Sequence, residues 1–282
     1  MQRKAQLITR LIVSANNNLK RFSSSSYTTF EEKDGVRHIT LNHPKTRNSL
    51  SMDMMSDLLD KITKGQDDPH LRCILLSSTG PVFSAGHNLK ELTADHKVDD
   101  HAKIFSKASE LMLSIVRSPV PVIAKVNGLA AAAGCQLIAT CDITVCSDKS
   151  TFSTPGANFG IFCSTPGIAV ARCVQRKTAL HMLLTGLPLT AQEALVAGLV
   201  SKVVPEELLD EEINKITSSI ISKSRPIIES GKRFFYEQAN MSLEEAYKLG
   251  TNVMVSNVNS NDGKEGINSF VEKRKPTWSH VK

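Results

Sequence analysis

Apolar positions along this chain switch between two periods. Residues 36–41 (VRHITL) alternate and predict a strand, ended by Asn42-His43-Pro44. Leu50, Met54, Leu58, Leu59 and Ile62 then recur at helical spacing and predict a helix that closes near Gly65. Residues 71–77 (LRCILLS) form a nearly continuous apolar run, as expected of a parallel strand buried on both faces. A Gly-containing loop at 80–87 leads into a short helix, and residues 102–117 predict a longer one. Pro119 and Pro121 open the strand PVIAKV, which stops at Asn127-Gly128; a helix from about 133 to 141 and a strand at 143–146 follow. Strand and helix alternating at this spacing predict an α/β architecture with right-handed crossovers. From Ala191 onward the pattern is almost entirely helical, except VSKVV at 200–204. Such helices cover either the chain's own sheet or a neighbouring subunit, and the pattern leaves both open.

With 282 residues, 41% of them hydrophobic, the chain can bury a large core. Its longest weakly polar stretch, Leu129 to Cys141, is too short to span a bilayer, which needs about 20 apolar residues. The formal charge of +6 is concentrated in one place. Five of the 34 basic residues (Arg3, Lys4, Arg10, Lys20, Arg21) fall in the first thirty positions, where no acidic residue occurs. The remaining body holds 29 basic against 28 acidic residues, so it lacks the basic footprint of a nucleic-acid binder. In residues 1–26 the apolar Leu7, Ile8, Leu11 and Ile12 sit at helical spacing among basic residues, and Ser23–Ser26 follow. An amphipathic, acid-free leader of this kind predicts a mitochondrial transit peptide, with a matrix destination and cleavage between Phe22 and Tyr27. A tail without an address is the alternative.

Six cysteines show neither a C-x-x-C pair nor histidines at zinc-ligand spacing, so no metal site is expected and small buried thiols are. Phosphate-cradling glycine loops, nucleophile elbows and H-E-x-x-H are also missing. What remains is a pair of loop-to-helix junctions after apolar strands, FSAGHNLKE at 83–91 and NGLAAAAGCQ at 127–136. Small residues there let backbone approach a ligand closely, and each following helix offers unpaired N–H groups. Two such N–H groups aimed at one point would form an oxyanion hole, each donor contributing about 3–4 kcal/mol to a transition state. Tight helix–sheet packing explains either junction equally well when it is taken alone.

Taken together, and with three further segments in the same order, they resemble the crotonase (enoyl-CoA hydratase/isomerase) superfamily. The matching segments are NHPKTRNSLS at 42–51, FSAGHNLKEL at 83–92, PVIAKVNGLAAAAGCQLIATCD at 121–142, TGLPLTAQEALVAGLVSKVVP at 185–205 and EGINSFVEKRKPTW at 265–278. The resemblance implies a ClpP-like spiral of ββα turns over residues 27–205. It also implies a helical region, 206–282, that assembles a homotrimer or hexamer. An acyl-CoA thioester is the implied ligand, with no other cofactor. Carried across residue by residue, the oxyanion-hole donors are the backbone N–H groups of His87 and Ala133. Lys45, Thr46, Arg47, Asn88 and Lys90 would border the CoA, and Lys273 would approach a CoA phosphate on a neighbouring subunit.

Two departures bear on activity. Where hydratases of this family place two glutamates, this chain has Gln136 and Gly156. Hydration needs a base to activate water and an acid to protonate carbon; glutamine does not titrate and glycine has no side chain. Each such group contributes typically about 10²–10⁴-fold, so losing both leaves binding and polarisation. Alanines at 131–133 in place of the usual glycines also narrow the thioester path. His87 is the one titratable residue at the hole; its ring either acts there or faces solvent or caps the next helix. Asp142 matches a structural position, and Cys163 lies near the expected pocket. The reading is an acyl-CoA-binding protein of fatty-acid metabolism without ordinary hydratase activity. An isomerase, thioesterase or decarboxylase of atypical chemistry is the second reading, and a trimeric scaffold with a vestigial pocket is the third.

Overall fold

A computed structural model of the chain describes residues 27–281. The expected leader falls on residues 1–26, outside the described residues. Strands β1 (Thr28–Lys33), β2 (Val36–Leu41), β3 (Cys73–Ser78), β5 (Val122–Val126), β7 (Ile143–Ser147) and β10 (Lys202–Val204) form one sheet in the order β1-β2-β3-β5-β7-β10. All neighbours are parallel except the β1/β2 hairpin. A second, smaller sheet orders β4 (Val82–Ser84), β6 (Leu129–Ala131), β8 (Thr151–Ser153) and β9 (Leu189–Thr190), with β4, β6 and β8 parallel.

The two sheets are wound by the same chain. β3 turns into β4, β5 into β6 and β7 into β8, each pair separated by a sharp corner. Helix α2 (Val98–Arg117) follows the first pair and α3 (Ala133–Thr140) the second, giving the ββα repeat. At the corner between β5 and β6, Gly128 takes φ +93°, and a Cβ there would meet the Pro81 carbonyl oxygen at 2.1 Å. Only glycine fits.

The apolar runs are buried on two faces. From β3, Ile74 and Leu76 enter the main core, while Cys73 and Leu75 pack with Leu209 and Ile213 of α7 (Leu209–Ile221) on the other face. Helix α1 (Met52–Thr63) buries Met54, Met55, Leu58 and Ile62, and its start is capped by the Ser51 hydroxyl, which accepts from Met54 N at 3.2 Å. Helix α2 begins four residues earlier than its periodicity indicated, at Val98, with Asp99 and Asp100 in its positive first turn.

Later helices are α4 (Ser164–Cys173), α5 (Arg176–Thr185), α6 (Ala191–Ala197), α8 (Arg225–Gln238), α9 (Leu243–Asn259) and α10 (Asn261–Val271). Of these C-terminal elements, α7 covers the chain's own sheet. Helices α9 and α10 instead leave Leu243, Tyr247, Met254, Val255, Phe270 and Val271 exposed. No helix among the described residues is long and apolar enough to cross a membrane.

Candidate functional site

The loops after β4 and β6 meet at the C-terminal edge of the small parallel sheet. Gly86 adopts φ +92°, and a Cβ on it would lie 2.8 Å from the Ala132 Cβ and 3.1 Å from the Ala133 nitrogen. A Cβ on Gly134 would sit 2.5 Å from the Ser84 carbonyl oxygen. The junctions thus touch backbone to backbone, which is the close approach that their small residues permit. Among the described residues neither the His87 nor the Ala133 N–H has a backbone acceptor. Ala133 opens α3, so its N–H adds the positive end of that helix.

Ala132, which links β6 to α3, is held at φ +49°, ψ −118°. A side chain there is strained, at a cost of about 1–3 kcal/mol. The turn persists because Ala132 N donates to the Ser153 carbonyl at 2.9 Å and Gln136 N to the Ala132 carbonyl at 3.0 Å.

A third loop, with Lys45 and Thr46 in a short 3₁₀ turn, packs beside the first junction. Its organiser is Asn48, a residue sequence reasoning did not single out. The fully buried Asn48 side chain accepts from His43 N (2.8 Å) and donates to the Thr79 and Val82 carbonyls (2.8 and 2.9 Å). Ala85 N donates to the Arg47 carbonyl at 3.0 Å, and the Ser84 hydroxyl to the Asn48 carbonyl at 2.8 Å. Arg47 and Asn48 both take positive φ, a local signature that only the folded chain reveals. Lys45, Thr46, Arg47 and Lys90 are exposed around this edge. Asn88 caps the 3₁₀ turn Leu89–Leu92 by accepting from Lys90 N at 3.3 Å, so a single turn replaces the expected short helix. Lys273 stands apart, exposed just beyond the C-terminal end of α10.

His87 neither faces solvent nor caps the helix; Asn88 does the capping. Its imidazole is largely buried, with Nδ1 3.3 Å from the Leu50 carbonyl and its ring edge-on to Phe105 of α2 at 5.3 Å. Burial lowers its pKa, partly offset by the Leu50 carbonyl and the Glu91 carboxylate. Phe105 also lines a shallow, open depression on the surface of α2, with Ser106, Ser109, Glu110, Leu113 and Arg117.

Gln136 lies one helical turn beyond Ala133, on the same face of α3, with only 5% of its surface exposed. Gly156 follows β8 in a 3₁₀ turn, Pro155–Phe159. Its N–H donates to Cys163 Sγ at 3.2 Å, and a Cβ there would lie 2.2 Å from the Ile161 carbonyl oxygen and 2.7 Å from that sulfur. The thiol and the carbonyl fill the space a side chain would need. Among the described residues, the buried side-chain atoms left without a hydrogen-bond partner are His87 Nε2, Gln136 Oε1 and Thr154 Oγ1. All three leave the same edge, after β4, β6 and β8.

The other sequence candidates are structural. Asp142 accepts from Val122 N, Lys232 Nζ and Tyr236 Oη at 2.7–2.8 Å. The cysteines are free thiols; burial pushes Cys73, Cys135 and Cys146 up to about 12 and raises Cys163, while Cys173 is exposed against expectation. No cluster of three or more metal-ligating side chains occurs among the described residues.

Comparison with known proteins agrees with this geometry. The family profile described as enoyl-CoA hydratase/isomerase matches residues 31–281. The chain is 52% identical over 264 residues to the Xenopus laevis protein named enoyl-CoA hydratase domain-containing protein 3, mitochondrial, covering 94% of this chain and 90% of that one. Mitochondrial enoyl-CoA hydratase of Pongo abelii is 35% identical over 241 residues, covering 85% and 82%. The crystal structure of human enoyl coenzyme A hydratase domain-containing protein 3 superposes with a TM-score of 0.89 at 53% identity, covering 89% of this chain and 100% of that one. Enoyl-CoA hydratase of Mycobacterium smegmatis superposes at 0.87 with 40% identity, covering 89% and 98%. The close approach of the two junctions, the ββα winding and these matches lead to one assignment: the chain has the crotonase fold and belongs to the enoyl-CoA hydratase/isomerase family.

Proposed function

We propose that this protein binds acyl-CoA thioesters, polarises the thioester carbonyl and does not hydrate 2-enoyl chains. The reading places it in the mitochondrial matrix, in keeping with the names of its relatives, and in fatty-acid metabolism. One observation carries it: the His87 and Ala133 N–H groups adjoin with no competing acceptor, while no carboxylate occupies the positions of Gln136 and Gly156. At 156 the backbone itself excludes a replacement. The exposed Lys45, Arg47 and Lys90 supply positive charge for CoA phosphates at the rim, with Thr46 and Asn88 beside them. The apolar faces of α9 and α10 suit self-association as a homotrimer or hexamer, which would bring Lys273 towards a neighbour's site. No cofactor beyond the CoA ligand is required.

Purified protein mixed with crotonyl-CoA tests the reading. Binding should raise the melting temperature, since a ligand at 100 times its Kd adds about 2.7 kcal/mol, and hydration should stay far below the roughly 10 s⁻¹ of a typical enzyme. Turnover near that value contradicts it. Gln136→Glu alone should not restore hydration, because one carboxylate cannot both activate water and protonate carbon.

A further inference from the structure

We propose that residues 277–281 form a proton-sensitive strap, held against the core while the His280 ring is neutral and loosened when that ring is protonated. The strap folds back along α10. Thr277 N donates to Glu265 Oε1 at 2.7 Å, and the Trp278 indole N–H to the Ser222 carbonyl at 2.8 Å. Ser279 N and His280 N donate to the Asp262 carboxylate at 2.7 and 3.3 Å. His280 takes φ +57°, the left-handed region that a β-carbon disfavours. Its half-buried imidazole is thereby set between two donors from other elements. Nε2 lies 3.1 Å from Arg72 Nη1, and Arg225 N, the first N–H of α8, points at Nδ1 from 3.5 Å. Ser224 gives α8 no side-chain cap, so the ring stands where a cap would.

A neutral imidazole has one bare nitrogen and accepts from one of these donors at a time; an imidazolium has none. Protonation therefore leaves N–H facing N–H, adds a cation beside two arginines and places it at the positive end of a helix. Neither arginine is free to withdraw. Arg72 is 8% exposed and also donates to the Lys223 carbonyl. Arg225, 6% exposed, is fixed by the Leu71 and Gln66 carbonyls and by Glu229. The groups that act on the ring are Arg72 and His70 from the loop before β3, Arg225 from α8 and Asp262 from α10. Asp262 favours the charged ring, but burial, Arg72 and His70 outweigh it and hold the pKa below 6.5. The ring's share of the hold is thus complete above the released value near 6.5 and is lost as pH falls through the lower held value.

Amide hydrogen exchange of the full chain tests this, read as the protection factors at positions 279 and 280 between about pH 8 and 4.5, above the range in which Asp262 titrates. Wild type should keep its protection down to about pH 7 and then lose about fivefold or more, the worth of one hydrogen bond, in a step that begins near 6.5. His280→Gln keeps an acceptor for Arg72 but does not titrate, so its protection should stay level across the range. His280→Ala has no acceptor and should show the low protection at every pH. His70→Gln should retain the wild-type step, which separates the two rings. A level wild-type profile, a step that survives in His280→Gln, full protection in His280→Ala or a step abolished by His70→Gln overturns the proposal.

Discussion

Two regions bury polar groups to a similar depth and treat them in opposite ways. Beneath α8 the Lys232 ammonium, with 7% of its side chain exposed, spends its donors on Asp142 (2.7 Å), the Ile115 carbonyl (2.9 Å) and the Val120 carbonyl (3.0 Å). Asp142 in turn accepts from Val122 N and Tyr236 Oη. At the edge of the small sheet, His87 Nε2, Gln136 Oε1 and Thr154 Oγ1 are buried with no hydrogen-bond partner among the described residues. A satisfied network holds a helix in place; buried polar atoms without a partner are a local cost to stability. The same contrast appears at the C-terminus. Asp262, 3% exposed, accepts from the Ser224 hydroxyl, from the Ser279 N–H and hydroxyl, and from His280 N, clasping the tail to the start of α8.

The sharpest break of the contrast is Asp142→Ala, which strands a buried ammonium. A loss of about 3–5 kcal/mol is expected, seen as a fall of about 10 °C in melting temperature at about 2–4 °C per kcal/mol. Next comes Asp262→Ala, with an expected loss of about 1.5–3 kcal/mol for hydrogen bonds to a charged group, measured by urea denaturation. Acid should mimic it. Burial pushes the Asp262 carboxyl up, but the serine hydroxyls and backbone N–H groups outweigh this and hold its pKa below 3.8. Its contribution is therefore complete above the unfolded value near pH 3.8 and is lost as pH falls through the lower folded value. Amide hydrogen exchange at Ser279 and His280 should report that loss.

At the sheet edge the sign reverses. Thr154→Val and Gln136→Leu remove unpartnered atoms and should each raise stability by about 1 kcal/mol, whereas the same kind of change beneath α8 lowers it. Ala132→Gly should add about 1 kcal/mol by relieving the positive φ; a thermal shift of about 2–4 °C is the readout.

Much of this was legible in the sequence, and the failures have physical causes. β2 was bounded correctly by alternation alone, because one face of VRHITL points to the core. The two junctions were visible because glycine and alanine runs mark close backbone approach, and the family resemblance paired them. Strands β4, β6 and β8 were missed: three residues are too few to show a period. Asn48 was missed because its role depends on φ +50° and on carbonyls 31 and 34 residues away. The burial of His87 also escaped, since Leu50 and Phe105 lie far from it in sequence. Gln136 and Gly156 were readable at the positions where the resemblance expects glutamates, but not that Cys163 and the Ile161 carbonyl close the space at Gly156.

The most direct test of the polarising cradle is the ¹³C NMR spectrum of butyryl-CoA labelled at the thioester carbonyl and bound to the protein. Hydrogen bonds from His87 and Ala133 should draw electron density from the carbonyl carbon and move its resonance downfield of free butyryl-CoA. A bound resonance at the position of the free ligand would show that the paired N–H groups do not grip the carbonyl.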